Sequence, residues 1–154
     1  MAAQAALVEQ VPVFFWMDVA AKVPTLGQYL AAADAAGGTQ VVQAVIYDLP
    51  DRDCAAESSA GEFSIADGGA EKYQDYIDAI AAQVERMYSP QSNQVRQSLT
   101  RYPSEYPNVR VVFVVEPDGL ANLVTNLSVA KCANAESTYK VRQHEKSKPI
   151  VSIC

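Results

Sequence analysis

The sequence is poor in the residues that several common kinds of site require. Among its 154 residues there is one histidine, His144, and there are three cysteines. A Ser-His-Asp triad and a histidine-rich metal site are therefore excluded, unless His144 is itself the base. The spacing of Cys54, Cys132 and Cys154 contains no Cys-x-x-Cys, so we expect neither a zinc cluster nor a thioredoxin-like motif. If two of these cysteines pair, one is left over.

Long apolar runs and excess positive charge are also lacking. No apolar run approaches the ~20 residues of a membrane span, so we do not expect an integral membrane protein. Acidic residues outnumber basic ones by 18 to 12, which argues against nucleic acid or an anionic membrane as partner. The start, Met1-Ala2-Ala3-Gln4, lacks the basic residues of a secretory signal. With 49% hydrophobic residues, the composition predicts one globular domain, which we expect to be monomeric.

Three apolar runs predict β-strands, and each is followed by acidic residues. The runs are 11–17, 41–47 and 109–115, rich in β-branched and aromatic residues. Continuous runs of this kind are typical of strands buried on both faces. The acids that follow them are Asp18, then Asp48, Asp51 and Asp53, then Glu116 and Asp118.

Helical periodicity lies between the predicted strands. One segment begins at Pro24-Thr25 and ends at Gly37-Gly38, and a second runs from 70 to 88. Their apolar stripes consist of Leu26, Tyr29, Leu30 and Ala33 in the first, and Tyr73, Ile77, Ile80 and Val84 in the second. The alternation of strands and helices predicts an α/β fold with parallel strands.

Carboxylates at the ends of parallel strands meet at the edge where α/β proteins bind ligands. Two carboxyl groups facing each other across a cleft can act as acid and base, which is what cleavage of a glycosidic bond requires. Any single one of these acids could instead cap the following helix or turn. All three strand ends together favour a function.

Three further residues near these acids have two interpretations each. Trp16, two residues before Asp18, could stack on a sugar ring or pack in the core. Tyr47 could line the same edge or fill the core. Arg52 could hold a neighbouring carboxylate or be a solvated turn residue.

Two segments differ from the rest in composition. Residues 86–104 contain three arginines and no acid, and residues 140–154 are also basic. Together they hold more than half of the lysines and arginines, so the remaining chain is strongly acidic. Solvated loops or tails are one explanation.

Two long stretches resemble the signatures of glycoside hydrolase family 6, which contains fungal cellobiohydrolases and endoglucanases. They are VIYDLPDRDCAA at 45–56 and VEPDGLANLVTN at 115–126. The segments EFSIADGG at 62–69 and KCANA at 131–135 also match the pattern. The resemblance covers about residues 9–85 and 105–139.

The resemblance implies hydrolysis of β-1,4-glucosidic bonds in cellulose and cello-oligosaccharides, with inversion at the anomeric carbon. Asp118 matches the general acid. Asp53 matches the aspartate that keeps this acid protonated and stabilises positive charge on the sugar. Substrate-binding positions are matched by Trp16, Asp18, Tyr47 and Ser59, and supporting positions by Arg52 and Glu116.

The resemblance further implies a disulfide between Cys54 and Cys132, an extracellular location, and no metal or cofactor. It implies a distorted β/α barrel, of which only about the first three strand–helix units are present. We therefore expect an incomplete catalytic domain over 1–139, interrupted by an unmatched insertion at 86–104, and an unmatched tail at 140–154. Gly119 stands where serine is frequent in the family.

The unmatched segments have a possible genetic cause. Codons for residues 86–105 can contain splice signals flanking an in-frame intron, and residues 140–142 can hide another donor site. We therefore hypothesise two retained introns.

Two functions remain open from the sequence. The chain could be an inverting glucan hydrolase, or it could be a truncated fragment that binds glucan weakly without turnover or never folds stably. Asn126-Leu127-Ser128 is also a possible N-glycosylation sequon, which is meaningful only for a secreted chain.

Overall fold

A computed structural model describes residues 13–56, 59–88 and 109–141. Within these ranges, the side chains of 86–88, 120, 140 and 141 are not described. Most of the two basic segments lies outside the described residues, so the predicted division into a matched domain, an insertion and a tail stays a prediction.

Three parallel strands form one sheet in the order in which they occur along the chain. They are β1 (Phe15–Met17), β2 (Gln40–Ile46) and β3 (Val109–Val115). Phe15 pairs with Ala44, which in turn pairs with Phe113. The two later strands match their predicted positions within one residue. The first is shorter than predicted, and residues 11 and 12 lie outside the described part.

Helices join and follow the strands, as the periodicity predicts. They are α1 (Val23–Ala35), α2 (Gly69–Tyr88), α3 (Gly119–Thr125) and α4 (Ala130–Val141). Pro24 occupies the first turn of α1, where its missing N–H costs nothing. Gly37 and Gly38 follow α1 with positive φ angles, a conformation that glycine adopts easily and that ends the helix.

The core lies between one face of the sheet and the helices α1 and α2. Met17 and Ile46 from the strands contact a helical layer formed by Leu26, Leu30 and Ile80. Tyr76 is buried in the same layer, and its hydroxyl donates a 2.6 Å hydrogen bond to the carbonyl of Met17. Burial of these side chains supplies most of the favourable free energy of folding.

The prediction that the strands are buried on both faces is wrong for the opposite face of the sheet. Val41, Val112 and Val114 are exposed there, and so is Trp16. The described helices α1 and α2 pack on the first face, and Val45 is the one buried residue of the described strands on the other. An apolar run indicates that a strand can be buried, but the burial depends on elements that are distant in the sequence.

None of the helices within the described ranges combines the length and apolar character needed to cross a membrane.

Substitution of Gly69, the first residue of α2, tests the packing of the turn that precedes the helix. A Cβ at this position would lie 2.5 Å from the backbone carbonyl oxygen of Ser64. We expect Gly69→Ala to lower the free energy of unfolding by about 1–3 kcal/mol, because rigid backbone must move. Urea denaturation followed by tryptophan fluorescence measures this change.

Gly27→Ala is the matched control. Its Cβ would meet only the flexible end of Gln83, and alanine is favoured by ~1 kcal/mol inside a helix such as α1. We expect this variant to be as stable as the original chain or more so. Equal destabilisation by both substitutions would contradict the described turn.

Candidate active site

The register of the sheet places the ends of the three strands at the same level. Met17, Ile46 and Val115 are paired across the strands. The residues that follow, Asp18, Tyr47 and Glu116, therefore begin at one edge, as predicted from parallel strands. Hydrogen bonds continue the ladder beyond the strands, because Glu116 N–H donates to Ile46 at 2.7 Å.

Four acidic residues at this edge have left-handed backbone conformations. Their φ angles are 56° at Asp51, 50° at Asp53, 47° at Glu116 and 65° at Asp118. They are the only non-glycine residues of the described part with positive φ. Such conformations cost free energy, and they concentrate at functional sites where the surrounding structure enforces them.

Glu116 connects the ends of β2 and β3 with α2. Its carboxylate accepts hydrogen bonds from the N–H groups of Asp48, at 3.0 Å, and Leu49, at 3.3 Å. The hydroxyl of Tyr73 donates a third bond of 2.9 Å. Burial raises the pKa of Glu116, while these three donors act in the opposite direction. The residue therefore fixes the loops that carry the other acids.

Arg52 lies in the interior of the site, not in a solvated turn. Its side chain is only 7% exposed and its guanidinium lies 4.3 Å from the centre of the Tyr47 ring. It donates hydrogen bonds to the carbonyl oxygens of Tyr47 and, at 3.2 Å, Ser59. The nearest carboxylate partner is Asp48, at 3.7 Å. Arg52 thus holds backbone in place more directly than it holds a carboxylate.

Tyr47 contacts several of the predicted site residues. Its hydroxyl donates a 2.7 Å hydrogen bond to Asp53, and its ring meets the indole of Trp16 edge to face at 5.4 Å. Burial raises the pKa of Tyr47 to about 12, and the negative charges of Asp53 and Asp118 contribute to the increase. The Tyr47 hydroxyl therefore interacts electrostatically with both aspartates, and it stays protonated at neutral pH, where it donates its hydrogen bond to Asp53.

Trp16 is not a core residue, because 46% of its surface is exposed. It lies on the uncovered face of the sheet beside Val45 and Val114, with which it is level in the register. Together with Pro117 and residues 13 and 14, these side chains line an open apolar cavity of about 330 Å³. An exposed indole over such a cavity can stack on the flat face of a ligand.

Asp118 occupies the N-cap position of α3 without capping the helix through its side chain. Its carboxylate is exposed at the edge of the sheet. The simplest structural explanation for an acid at a helix start, a side-chain cap, therefore does not apply. Gly119, which follows it, is buried, and a Cβ there would come within 3.1 Å of Leu49.

Asp18 and Ser59 make fewer direct side-chain contacts with the other predicted site residues. Partial burial acts to raise the pKa of the Asp18 carboxyl group. The ammonium group of Lys22 donates a hydrogen bond to this group and lowers its pKa, and the net pKa is below the ordinary value. The positive charge of Arg52 also contributes. Ser59 is tied to the site through its backbone carbonyl, and the two residues before it lie outside the described ranges.

The predicted disulfide between Cys54 and Cys132 is confirmed, with a sulfur–sulfur distance of 2.01 Å. It attaches α4 to the loop after β2. Two further contacts join the same elements, because the Tyr139 hydroxyl donates to the Pro50 carbonyl at 3.1 Å and Lys131 lies 3.6 Å from Asp51. Because this crosslink spans 78 residues, it restricts the unfolded chain strongly.

Asp48 and Glu62 form a pair of carboxyl groups that the sequence analysis did not single out. Asp48 is 0% exposed, and neither of its oxygens accepts a hydrogen bond from an N–H or O–H group of the described residues. Burial and the neighbouring Glu62 raise the pKa of Asp48 to about 8, so the Asp48 carboxyl group is protonated at neutral pH. Glu62 accepts a 2.7 Å bond from the N–H of Ala20.

The signal for this pair was weak in the sequence. Asp48 directly follows a predicted strand, as Asp18 and Glu116 do, and Glu62 appears only as part of a matched segment. Within the described residues, no group of three or more His, Cys, Asp or Glu side chains is arranged to hold a metal ion.

The fold and the site are together typical of an α/β enzyme with acids at its strand ends. The family model for "Glycosyl hydrolases family 6" matches residues 1–146. The chain is 52% identical over 140 residues to Exoglucanase 3 of Agaricus bisporus, covering 91% of this chain and 27% of that protein. It is 51% identical over 144 residues to 1,4-beta-D-glucan cellobiohydrolase C of Emericella nidulans, covering 90% and 28%.

Solved structures agree with these sequence matches. The catalytic core domain of the cellobiohydrolase Cel6A from Chaetomium thermophilum is 43% identical, with a TM-score of 0.73, and the match covers 91% of this chain and 35% of that one. The CcCel6A catalytic domain complexed with p-nitrophenyl beta-D-cellotrioside is 50% identical, also with a TM-score of 0.73, over 90% and 34%. This chain therefore belongs to glycosyl hydrolase family 6, and it spans about a quarter of the length of these curated relatives.

The raised pKa of Asp48 predicts how stability depends on pH. The folded protein keeps a proton that the unfolded chain releases between the ordinary value of 3.8 and about 8. The stabilisation is complete below this window and is lost as the pH rises through it, with a slope of up to ~1.4 kcal/mol per pH unit. We expect the urea midpoint to fall from pH 5 to pH 8.

Asp48→Asn should flatten this dependence, because asparagine has a similar shape but cannot titrate. Asp75→Asn, on the exposed surface of α2, should leave the slope unchanged. An unaltered slope in the Asp48 variant would show that another group causes it. Glu116, whose pKa is also raised, is the next candidate.

Proposed function

We propose that this chain carries the acid-bearing edge of an inverting β-1,4-glucan hydrolase. The supporting observation is the cluster around Tyr47. This residue contacts Trp16, Arg52 and Asp53, and the charge of Asp118 contributes to its raised pKa. Membership of the family adds support, as do relatives named exoglucanase and cellobiohydrolase. The proposed substrates are cellulose and cello-oligosaccharides, and the proposed location is extracellular.

Asp118 acts as the general acid in this proposal. Its side chain is exposed and does not cap α3, so it is free to approach the glycosidic oxygen of a bound glucan. It donates its proton to that oxygen as the bond to the anomeric carbon breaks. A water molecule attacks the same carbon from the opposite face, and the configuration is inverted.

Asp53 assists the acid through its charge. Its carboxylate is buried and oriented by the Tyr47 hydroxyl at 2.7 Å. A fixed negative charge in a partly desolvated site favours the positive charge that develops on the sugar ring. Arg52 and Glu116 are positioning residues here, because they act on the backbone of the two loops.

The substrate lies along the exposed aromatic surface in this proposal. Trp16 stacks on a sugar ring, Tyr47 borders the ring at the cleavage point, and Asp18 and Ser59 contact hydroxyl groups. In this arrangement, the three strand–helix units are the beginning of a distorted β/α barrel. The sequential order of the parallel strands supports this, since neighbours in a barrel follow one another along the chain.

A second candidate is a glucan-binding chain without turnover. The exposed face of the sheet favours it, because Val112 and Val114 are exposed there and the cavity beside Trp16 is open. Binding to the aromatic surface requires only the residues described above, whereas turnover also requires a base, for which the described residues offer no assigned group.

Substitution of the proposed acid provides a test that depends on the leaving group. We expect Asp118→Asn to reduce the hydrolysis of cellohexaose by roughly 10²–10⁴-fold, because a sugar hydroxyl leaves poorly without a proton. The loss should be much smaller for 2,4-dinitrophenyl β-cellobioside, whose leaving group needs no protonation. Rates are measured by release of product under saturating substrate.

Asp75→Asn is the matched control, because it removes an exposed carboxylate of α2 that has no place in the proposed site. This variant should hydrolyse both substrates at the rate of the unmodified chain. Equal losses for both substrates in the Asp118 variant would contradict its role as acid. Absence of turnover in the unmodified chain would contradict the hydrolase proposal and leave the binding candidate.

Binding can be measured independently of turnover. Trp16 is the only tryptophan of the sequence, so its fluorescence reports on this surface alone. We expect saturable quenching by cellohexaose and none by maltohexaose, which has the same sugar in α-1,4 linkage. Quenching that does not saturate, or that is equal for both sugars, would contradict a glucan site at Trp16.

A further inference from the structure

One sequence motif is not used by the proposed function. Asn126-Leu127-Ser128 is the only Asn-X-Ser/Thr triplet in the sequence, and its middle residue is not proline. Asn126 forms the C-cap of α3 and begins the turn that leads to α4. The N–H of Val129 donates a 2.9 Å hydrogen bond to the carbonyl of Asn126, which closes this turn. A turn on the surface is the usual place of an acceptor asparagine.

The surroundings of the turn are open. Thr125, Leu127 and Ser128 are exposed, and so are the residues from 129 to 131 that follow. Asn126 itself is half-buried because its amide folds back along α3. An oligosaccharide attached here would leave the protein surface directly, without displacing a described element.

The amide of Asn126 can carry a glycan and keep its main contact. Its Nδ2 donates hydrogen bonds to the carbonyl oxygen of Asn122 at 2.8 Å and to the hydroxyl oxygen of Thr125 at 3.1 Å. A glycosylated amide retains one N–H, which suffices for the bond to Asn122. The contact to Thr125 is exposed, so water replaces it at little cost.

The same turn exposes several large apolar side chains. Val124 is 60% exposed, and Leu127 and Val129 are also among the exposed large apolar residues. All three lie within three residues of Asn126. The sugar rings of a glycan have apolar faces that can cover such side chains, which is a favourable use of this surface.

The position is compatible with the proposed active site. Asp118 occupies the N-cap position of α3, and Asn126 occupies its C-cap position. At a rise of ~1.5 Å per residue, the helix separates them by roughly 12 Å. The attachment point is therefore separated from the proposed acid by the length of α3.

We propose that Asn126 is an N-glycosylation site. The inference rests on the extracellular route proposed above. An oligosaccharide is transferred from a lipid-linked diphosphate donor in the endoplasmic reticulum. The bond between its anomeric carbon and the diphosphate oxygen breaks, a bond to Nδ2 forms, and the Nδ2 proton leaves with the lipid diphosphate.

The test translates the full chain behind a cleavable secretory leader into endoplasmic reticulum microsomes. Only chains protected from added protease are scored, so failure to enter the lumen does not affect the result. We expect one discrete increase in mass, removed by peptide N-glycosidase F. Asn126→Gln and Ser128→Ala should abolish it, whereas Ser128→Thr should keep it.

A second measurement asks whether the folded chain tolerates the glycan. The chain is secreted from yeast, and formation of the Cys54–Cys132 disulfide is followed by alkylation of free thiols. We expect the glycosylated chain to form this disulfide as completely as the Asn126→Gln variant. Neither readout depends on hydrolase activity, so failure of the proposed function leaves this result unaffected.

Two outcomes would overturn the proposal. One is a protease-protected chain that carries no glycan, or whose glycan persists in the Asn126→Gln variant. The other is a glycan found only on chains that have not formed the disulfide.

Discussion

The carboxylate of Glu116 joins three separate parts of the chain at the edge where the proposed site lies. Two of its donors are consecutive backbone N–H groups after β2, and the third is the hydroxyl of Tyr73 in α2. A buried carboxylate is costly unless donors compensate it, and these three offset part of that cost. Because Glu116 is two residues before Asp118, the same contacts fix the backbone from which the proposed acid projects.

Conformational strain at this edge is balanced by packing around it. Asp51 and Asp53 are left-handed residues that flank Arg52, whose guanidinium is held by two carbonyl oxygens and the Tyr47 ring. Gly61 permits this packing, because a Cβ there would lie 3.0 Å from Arg52 and 3.3 Å from Asp48. The disulfide at Cys54 then closes the loop against α4. Local strain is thus maintained by contacts from distant parts of the sequence.

Much of the fold could be predicted because it depends on local periodicity. The boundaries of β3 and α2 follow from runs and stripes that are complete within each segment. The covering of the sheet could not be predicted, because burial of Val112 depends on elements elsewhere in the protein. Tyr29, which belongs to the predicted apolar stripe of α1, is exposed, and its ring contacts that of Phe15 at 5.0 Å.

The sequence predicted which residues belong to the site better than it predicted the contacts between them. Strand ends and the family signatures indicated Asp53, Tyr47 and Asp118, but the roles of these residues remain proposals. No sequence pattern reports a left-handed backbone at an aspartate. The pairing of Asp48 with Glu62 depends on how a loop folds back over the end of β2, and propensities carry no information about that.

A titration of the ¹⁵N-labelled chain with cellotetraose, followed by two-dimensional NMR, tests the central claim that this edge binds β-1,4-glucan. The account predicts that the indole N–H of Trp16 and the backbone amides of Tyr47, Asp53 and Gly119 shift together and saturate at one affinity. Shifts confined to the outer surface of α2, or the same shifts with maltotetraose, would contradict it.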